Sequence, residues 1–550
     1  MIWEPRKGVY TVICALFFGL GPWAARSVHA AIDCTQSAIQ SVAPPNTTIV
    51  SATAQSDPVP YCDVLGYATT THPGPNQVNF ELGLPAEWNG RFLFVGNGGF
   101  AGSFDFPSVF LDNFTFFPLL TEVSAGFATA FTDTGHQGAG DLPFFDGSWA
   151  LNDLAKQDDW LLRAVHVIAA ADQTITRAFY DAEPRSYFAG CSDGGREGLI
   201  EAEKYPADFD GIIAGDPLLG NAFIGFNWNE EQITSQPENY IPPDKMALVG
   251  AAVIKSCDGV DRVLDGLIQD PRKCSFNPDS LRCSAGNDSR CLTDGQVATL
   301  KAIYSGASTG DDKQVYSGFS KSDPTGAPDI VVGEDGWPLW ITAFEAPNAP
   351  GTSEPWVDPE FPPWQFTLQD QFLKFFVFSD PNYNSLSFDI NSSDMARARA
   401  VIHRGGAAAT DPNLSEFRGR GGKLILYHGW SDPALTPLET VKYYEAVARK
   451  TGGGYHDTQE FARLFMAPGM RHCIGTGPGP NVFDPLSPLI DWVENDVAPD
   501  RIIATHYKDN DPSTGIITST MPLCPYPQMA RFTGGNVRKG RNWVCEHDPH

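Results

Sequence analysis

Short, continuously apolar runs alternate with longer segments of helical periodicity in two separate parts of the chain. In the first part, RFLFVGN, GFATAFT, RSYFAG and DGIIAGDP have the length and composition of buried strands, and WLLRAVHVIAAADQTITRAFY has the apolar spacing of a helix. In the second part, KLILYHG and ARLFMAPG predict strands, and TVKYYEAVARK and PLIDWVEND predict helices. Apolar strands that alternate with helices predict an α/β fold with a mostly parallel sheet, covered on both faces.

The α/β pattern stops after Pro217 and resumes only after residue 405. The intervening segment is rich in Pro, Gly, Trp and Phe. Structureless loops of that length are uncommon in compact proteins, so the segment is predicted to be a domain of its own. We therefore expect one α/β domain made of residues 31–217 and 406–550, with an inserted domain at 218–405.

The first thirty residues have the features of a secretory signal peptide. Arg6 and Lys7 precede an apolar run, and the small residues of SVHA precede an expected cleavage after Ala30. A membrane anchor is the alternative, but the run is short for a span. No other stretch is apolar enough to cross a membrane, so the mature chain is expected in the periplasm or the medium, without a membrane contact.

The net charge excludes two classes of partner. The 550 residues carry a formal charge of −28 at pH 7. Nucleic acids and anionic membranes bind basic surfaces, so neither is expected to bind this chain. A small molecule is the expected partner.

The cysteine count favours a disulfide-bonded, exported protein. Of 11 cysteines, Cys14 lies in the signal segment and ten remain, which predicts five disulfides. Neighbours in the sequence suggest the pairs Cys34–Cys62, Cys257–Cys274, Cys283–Cys291 and Cys524–Cys545. Cys191 and Cys473 are left without a local partner.

The segment GCSDGGREG, residues 190–198, contains the pattern G-x-S-x-G. The pattern alone is weak, but here it follows an apolar strand and opens a helix, as in a nucleophile elbow. Ser192 is therefore the candidate nucleophile. The backbone amide of Asp193, at the positive end of that helix, is a candidate oxyanion donor. A tight turn with a structural serine is the alternative.

A nucleophilic serine needs a base, and the base needs an acid that fixes its tautomer. In α/β-hydrolases these residues follow in the order Ser, Asp or Glu, His. Asp432 and His472 each follow a predicted strand in that order. His428 is an alternative base but comes too early in the chain. Asp133 is an alternative acid, but it precedes the serine, and shaping a loop is its more ordinary role.

The two cysteines without local partners adjoin the two central candidates. Cys191 precedes Ser192, and Cys473 follows His472. If the serine and the histidine are in contact, their neighbours come within disulfide reach, about 5.5 Å between Cα atoms. We therefore predict a Cys191–Cys473 disulfide, with two free buried thiols as the alternative.

These landmarks resemble the tannase and feruloyl esterase family of α/β-hydrolases, which also includes mono(2-hydroxyethyl) terephthalate hydrolases. The resemblance covers nearly the whole mature chain, through GNGGFAG, TDTGH, GCSDGGREGL, the cysteine-rich insertion, HGWSDP and RHC. It implies an α/β-hydrolase fold whose inserted segment is a lid that carries the acyl-side specificity. It also implies a disulfide between the cysteines beside the serine and the histidine, in agreement with the prediction above.

The second oxyanion donor is expected in the glycine loop after the RFLFV strand. Residues without side chains let the backbone approach the substrate carbonyl. Gly98 is our choice and Gly99 is the alternative donor. A plain glycine-rich turn is the remaining possibility.

A short segment bracketed by cysteines, CDGVDRVLDGLIQDPRKC, carries four aspartates, and the first three of them are closely spaced. Asp258, Asp261 and Asp265 would repel one another unless a hard cation neutralised them. The resemblance implies a structural Ca²⁺ in the lid, with the carbonyls of Val263 and Leu267 completing its shell. An acidic surface loop without an ion is the alternative, and no organic cofactor is expected.

Together these features predict an exported serine carboxylesterase that hydrolyses feruloyl, hydroxycinnamoyl or galloyl esters through an acyl-enzyme. Alternatives are a terephthalate monoester hydrolase, a serine peptidase, and a non-catalytic secreted binding protein on the same scaffold. An aromatic acyl group would suit the π-rich insertion. Its aromatic residues include Trp337, Trp340, Phe361, Trp364, Phe366, Phe372, Phe375, Phe376 and Phe378.

Overall fold

The structure is a computed structural model of the chain. It describes residues 31–100, 102–103, 119–140, 142–284, 288–325, 336–356 and 362–547. The predicted signal segment 1–30 and the aromatic residue Phe361 lie outside these ranges. Among the described helices, none combines the length and apolar character that a membrane span requires.

A nine-stranded sheet forms the centre of the described structure, in the strand order β1-β2-β3-β5-β4-β6-β7-β8-β9. The six strands from β5 to β9 in this order are parallel, whereas β1, β2 and β3 join the sheet in antiparallel fashion. The predicted α/β fold with a mostly parallel sheet is confirmed. The strands are β1 Thr47–Gln55, β2 Tyr61–Thr70, β3 Asn76–Pro85, β4 Arg91–Val95, β5 Ala128–Thr132, β6 Arg185–Cys191, β7 Gly211–Gly215, β8 Lys423–Gly429 and β9 Ala462–Ala467.

Helices cover both faces of the sheet because its parallel strands are apolar on both sides. In β6, Phe188 packs in the layer that contains Ile168 and Ile175, while Tyr187 packs in the opposite layer with Leu489. The helices are α1 Gln36–Val42, α2 Leu119–Ser124, α3 Leu154–Asp158, α4 Ala164–Tyr180, α5 Asp193–Lys204, α6 Ala222–Thr234, α7 Pro243–Cys257, α8 Asp294–Ser305, α9 Trp364–Gln371, α10 Ser393–Ile402, α11 Ser415–Gly419, α12 Pro437–Val447, α13 Tyr455–Thr458 and α14 Leu486–Asn495.

The predicted insertion falls between β7 and β8. Among its described residues, the regular elements are helices, including α6 to α10 and short 3₁₀ and π segments. Its buried core is continuous with side chains of the sheet-bearing part. Phe372 and Phe376, for example, pack in one cluster with Phe100 and Trp160. The division at 218 and 405 stays a prediction, since this cluster spans it.

The carboxyl-terminal residues form two antiparallel ribbons beside the sheet. β10, Ile502–Tyr507, pairs with β11, Ile517–Leu523, and β12, Gln528–Phe532, pairs with β13, Trp543–His547. These ribbons were not anticipated from the apolar runs, because their strands are only half buried. The strands β1 to β3 were not anticipated either.

The described cysteines form five disulfides, in the pairs expected from the sequence. Four of them join cysteines that are 8 to 28 residues apart, whereas Cys191 and Cys473 are separated by 282 residues. The pairs are Cys34–Cys62, Cys191–Cys473, Cys257–Cys274, Cys283–Cys291 and Cys524–Cys545.

Candidate active site

Ser192 occupies a strained turn between β6 and α5. Its backbone has φ 64° and ψ −119°, a left-handed φ that a serine rarely adopts. Hydrogen bonds hold the turn: Ser192 N–H donates to Gly215 O at 3.0 Å, and Leu218 N–H donates to Ser192 O at 3.0 Å. Ser192 is half buried, whereas Asp193 and the rest of the helix start are buried. The turn thus has the geometry of a nucleophile elbow.

The glycines of the GCSDGGREG segment permit close packing around this turn. A Cβ atom added to Gly194 would lie 2.7 Å from Asn97 O, and one added to Gly195 would lie 2.3 Å from Gly215 O. Contacts that short would force the backbone apart. The motif therefore requires glycine at both positions if α5 is to start against the neighbouring loops.

His472 and Asp432 are in direct hydrogen-bond contact. His472 Nδ1 lies 2.8 Å from Asp432 Oδ2, and both residues are buried. Asp432 Oδ1 accepts the backbone N–H groups of Ala434 and Leu435 at 2.7 and 3.0 Å. Because Nδ1 faces a carboxylate, it carries the proton, which leaves Nε2 as the acceptor nitrogen of the neutral ring. This arrangement gives an imidazole that can take a proton through Nε2.

A second imidazole, that of His428, lies on the interior side of Asp432. Its Nε2 is 3.1 Å from Asp432 Oδ2 and 3.1 Å from Leu435 O, and its Nδ1 is 2.8 Å from Thr440 Oγ1. Interior groups thus engage both ring nitrogens of this fully buried side chain. The structure therefore does not favour His428 as the base, because its ring lies on the interior side of Asp432 and both of its nitrogens are engaged there.

Asp216 joins this group, although it was not among the site residues predicted from the sequence. In the sheet, Gly215 lies opposite both Cys191 of β6 and Tyr427 of β8, so the residues that follow these three meet at one edge. Asp216 Oδ1 accepts the N–H of Gly429 at 2.8 Å and lies 3.6 Å from His428 Nε2. An acid directly after the buried strand DGIIAG was the signal that could have identified it.

We call Asp216, His428, Asp432 and His472 the histidine–carboxylate cluster. One ligand atom from each of Asp216, Asp432 and His472 lies within 4.8 Å of the others. Burial raises the pKa of Asp216 to about 7. Burial also acts to raise the pKa of Asp432, but the charges and hydrogen bonds of His472 and His428 outweigh it and hold that pKa below its ordinary value. The carboxylate beside His472 is therefore ionised at neutral pH.

The Cys191–Cys473 disulfide brings the two halves of this site together. Its Cα atoms are 6.1 Å apart. Since adjacent Cα atoms are about 3.8 Å apart, the Cα atoms of Ser192 and His472 lie within about 14 Å of each other. Asp216 Oδ2 is 3.5 Å from Cys191 Sγ, so the disulfide also contacts the histidine–carboxylate cluster.

Two loops supply backbone amides near Ser192. Asp193 is the first residue of α5, so its N–H has no intrahelical acceptor. In the glycine loop, residues 96–100, the amides of Asn97 and Phe100 donate to Glu197 Oε2 at 2.9 Å and to Phe144 O at 3.0 Å. Gly98 and Gly99, the two predicted alternatives for the second donor, lie between these anchored amides.

The Asp133 carboxylate shapes a turn, in line with the ordinary role considered for it. Its Oδ1 accepts the N–H groups of Asn79 at 3.0 Å and Gly135 at 2.8 Å, and its Oδ2 accepts Gln137 Nε2 at 2.7 Å. Burial raises its pKa to about 6, although these bonds act in the opposite direction.

Aromatic side chains of the insertion reach the candidate base. The ring of Trp340 stands edge-on to the ring of His472, with centroids 5.1 Å apart. Trp364 lies 4.8 Å from Trp340, and Phe145 lies 5.1 Å from Trp364. Phe372, Phe375 and Phe376 lie in the same buried cluster as Trp340, and Trp364 packs against this cluster. The aromatic groups therefore form one buried cluster, which contacts the His472 ring through Trp340.

The acidic loop, residues 258–267, folds its aspartates back onto its own backbone. Asp258 Oδ1 accepts the N–H groups of Asp265 and Gly266 at 3.2 and 3.0 Å. Asp261 Oδ1 accepts Val263 N–H at 3.0 Å, and Asp265 Oδ1 accepts Leu267 N–H at 3.1 Å. Burial, followed by the charges of Asp265 and Asp258, raises the pKa of Asp261 to about 7. The loop therefore concentrates negative charge that backbone dipoles only partly balance.

Two further observations bear on a cation at this loop. Asp261 Oδ2 is buried and has no hydrogen-bond partner among the described residues. A Cβ atom added to Gly469 would lie 2.7 Å from Leu267 Cδ2, so the acidic loop packs directly on the segment that leads to His472. The oxygen-rich donor set fits a hard divalent cation.

Comparison with known proteins gives consistent relatives over nearly the whole chain. The family model described as tannase and feruloyl esterase matches residues 62–546. The chain is 32% identical over 540 residues to the mono(2-hydroxyethyl) terephthalate hydrolase of Piscinibacter sakaiensis, covering 90% of this chain and 87% of that protein. It is 30% identical over 489 residues to feruloyl esterase B of Aspergillus niger, covering 84% and 83%. The crystal structure of an esterase from Aspergillus oryzae has a TM-score of 0.77 at 24% identity, covering 93% of this chain and 99% of that chain, which shows the shared fold.

Proposed function

Because the chain belongs to the tannase and feruloyl esterase family, we propose that it is an exported serine esterase that hydrolyses esters of aromatic acids. The family and its named members make it a carboxylic ester hydrolase. The observation that supports the serine mechanism best is the Asp432–His472 hydrogen bond, next to a disulfide that ends beside Ser192.

In this mechanism, Ser192 Oγ attacks the ester carbonyl while His472 Nε2 takes its proton. Asp432 keeps the Nδ1–H tautomer and stabilises the imidazolium that forms. The amides of Asp193 and Gly98 donate to the oxyanion of the tetrahedral intermediate. When the C–O bond breaks, the alcohol leaves with the proton from His472, and the acyl group remains on Ser192. A water molecule, deprotonated by His472, then attacks this acyl-enzyme. The bond between the acyl carbon and Ser192 Oγ breaks, Oγ takes the proton back from His472, and the acid is released.

The proposed acyl group is a flat aromatic acid. Trp340 lies against His472 and Trp364 lies against Trp340, so a planar ring could stack beside the scissile carbonyl. We favour hydroxycinnamoyl or galloyl esters, because the family description names tannase and feruloyl esterase. A terephthalate monoester is the second candidate, since a relative of 32% identity is named for that activity.

We further propose that a structural Ca²⁺ binds the acidic loop. The carboxylates of Asp258, Asp261 and Asp265 would hold it, with the carbonyls of Val263 and Leu267. The ion would neutralise these carboxylates, and because Leu267 packs on Gly469, it would also steady the segment before His472.

Export through a cleaved signal at 1–30 is part of the proposal. Five disulfides form and persist in an oxidising compartment, not in a reducing cytosol.

The test compares the mature protein with its Ser192→Ala variant on methyl ferulate, methyl gallate and mono(2-hydroxyethyl) terephthalate. We expect Ser192→Ala to lose at least about 10⁴-fold in kcat, because the nucleophile is gone. Ser186→Ala, on the same strand, is the matched control and should retain activity. A Ser192→Ala variant as active as the wild type would refute the serine mechanism. Inert wild-type protein would favour the binding-protein alternative, and cleavage of a peptide panel would favour a peptidase.

A further inference from the structure

A buried glutamate on α5 holds the glycine loop that contains Gly98 and Gly99. Glu197 Oε2 accepts the backbone N–H of Asn97 at 2.9 Å. A Cβ atom added to Gly96 would lie 2.9 Å from this same oxygen and 3.0 Å from Gly194 Cα. The carboxyl group, the glycine loop and the start of α5 are thus in direct contact.

This carboxyl group lies where an acid is costly to bury. Glu197 is 4% exposed, and its Oε1 has no hydrogen-bond partner among the described residues. Burial, and then the charge of Asp193, raises its pKa to about 8. Asp193 is itself paired with Arg196, which donates to its carboxylate at 2.6 Å. The hydrogen bond that Glu197 accepts from the Asn97 N–H is therefore the described contact that explains why an acid is buried at this position.

The other end of the glycine loop has its own buried anchor. His136 Nε2 lies 2.8 Å from Phe100 O, and its ring stacks on Trp149 with centroids 3.5 Å apart. Burial lowers the pKa of His136 to about 3, so the ring is neutral and its Nε2–H donates to the carbonyl. Gly98 and Gly99 therefore lie between two fixed points, Asn97 and Phe100.

We propose that Glu197 is a positioning residue for the oxyanion site. By holding the Asn97 N–H, it would fix the turn of the glycine loop, so that the following amide points at the oxyanion near Ser192. The inference rests on the proposed serine mechanism, because it assigns Glu197 a role only if Gly98 or Gly99 donates to the reacting oxygen.

The experiment uses the full mature protein and three variants at Glu197. Glu197→Leu keeps the side-chain bulk but removes the acceptor, Glu197→Gln keeps a carbonyl oxygen that can accept the same N–H, and Glu197→Asp withdraws the carboxylate by one methylene group. Glu201→Leu is the matched control, because Glu201 is 1% exposed, lies one turn further along α5 and has no described bond to the glycine loop. We would measure kcat and KM on methyl ferulate, thermal unfolding, and hydrogen–deuterium exchange of the peptide that contains residues 91–100.

We expect Glu197→Leu to lower kcat by about 10²-fold, with KM changed less than about threefold, because an oxyanion donor acts mainly in the transition state. Exchange in the glycine loop should be faster. Glu197→Gln should stay within about fivefold of the wild type, and Glu201→Leu should keep both its kcat and the exchange rate of the loop.

Unchanged kcat and exchange in Glu197→Leu would overturn the inference, as would an equal loss in Glu201→Leu at equal loss of stability. If Glu197→Leu does not fold, Glu197→Asp decides: slower turnover with faster loop exchange supports the role, and wild-type values for both refute it. Failure of the serine mechanism itself would appear separately, as full activity in Ser192→Ala.

Discussion

The histidine–carboxylate cluster and the acidic loop both concentrate aspartates, which are buried in the cluster and half buried in the loop, and each adjoins a disulfide. They differ in the distance along the chain over which they are assembled. The Cys257–Cys274 disulfide closes 17 residues around the acidic loop, whereas Cys191–Cys473 joins residues 282 apart beside the cluster. The first site is a local structure, and the second exists only when distant strands align.

The two sites also differ in what balances the negative charge. In the cluster, the rings of His428 and His472 both face Asp432 Oδ2, at 3.1 and 2.8 Å. In the acidic loop, the described donors to the aspartates are backbone N–H groups, and Asp261 Oδ2 has none. The carboxylates of the cluster thus orient an imidazole, and those of the acidic loop form a site suited to a cation.

The largest effect should come from neutralising one carboxylate in each site. We expect Asp432→Asn to lower kcat by about 10⁴-fold, because an amide can stabilise the wrong tautomer of His472 and cannot stabilise its imidazolium. Asp261→Asn should keep kcat within about tenfold of the wild type, because the described contact of the acidic loop toward the active site is Leu267 on Gly469, in the segment before His472. Steady-state kinetics on an aromatic ester would check both predictions. Equal losses of kcat in the two variants would contradict the proposed difference in function between the two sites.

Removing each disulfide tests the difference in loop length. In the chain-entropy account, a crosslink over 282 residues contributes about 5.6 kcal/mol to the free energy of unfolding, and one over 17 residues about 3 kcal/mol. We therefore expect the Cys191→Ser/Cys473→Ser variant to lose more stability in urea unfolding than Cys257→Ser/Cys274→Ser. The first variant should also lose about 10²-fold in kcat through misplacement of Ser192 relative to His472. The opposite order of stabilities would contradict this account.

Removal of Ca²⁺ should lower the stability of the protein through the acidic loop, where the ion is proposed to bind, and not through the histidine–carboxylate cluster. Chelation with EGTA is expected to lower Tm by about 5 °C, because an ion that binds only the folded state stabilises it. Added Ca²⁺ should restore Tm, and Asp261→Asn should show a smaller shift than the wild type. If chelation shifts the Tm of wild type and Asp261→Asn equally, the ion does not bind at this loop.

The smallest expected effect is a pH dependence of the Ca²⁺-free protein. The pKa of Asp261 rises from its ordinary value of 3.8 to about 7 in the folded state. The folded state then holds a proton that the unfolded state has released, so stability present below pH 3.8 is lost as pH rises toward 7. Without Ca²⁺, the unfolding free energy of the wild type minus that of Asp261→Asn should therefore decrease as the pH rises over this range. Saturating Ca²⁺ should abolish the fall, and a pH-independent difference would contradict it.

Much of the local structure was predictable because neighbours in the sequence determine it. The strand–turn–helix around Ser192 follows from an apolar run, two close-packed glycines and an amphipathic helix, and it was predicted as such. The same holds for the aspartates between Cys257 and Cys274, whose spacing alone brings them into one loop. The strands β1 to β3 were not predicted, because they alternate apolar and polar residues, as β3 does at Val78, Phe80, Leu82 and Leu84, and contain no continuous apolar run.

The sequence by itself thus determined the α/β alternation, the elbow at Ser192 and the acidic loop, since each depends on residues a few positions apart. Only the tertiary structure decided that Asp216 lies beside His428, that Glu197 holds Asn97, and that Trp340 covers His472. Those contacts depend on which strands are neighbours, and on how an inserted segment folds back over their carboxyl ends. Periodicity cannot specify them, because it reports which face of an element is buried and not which distant side chain it meets.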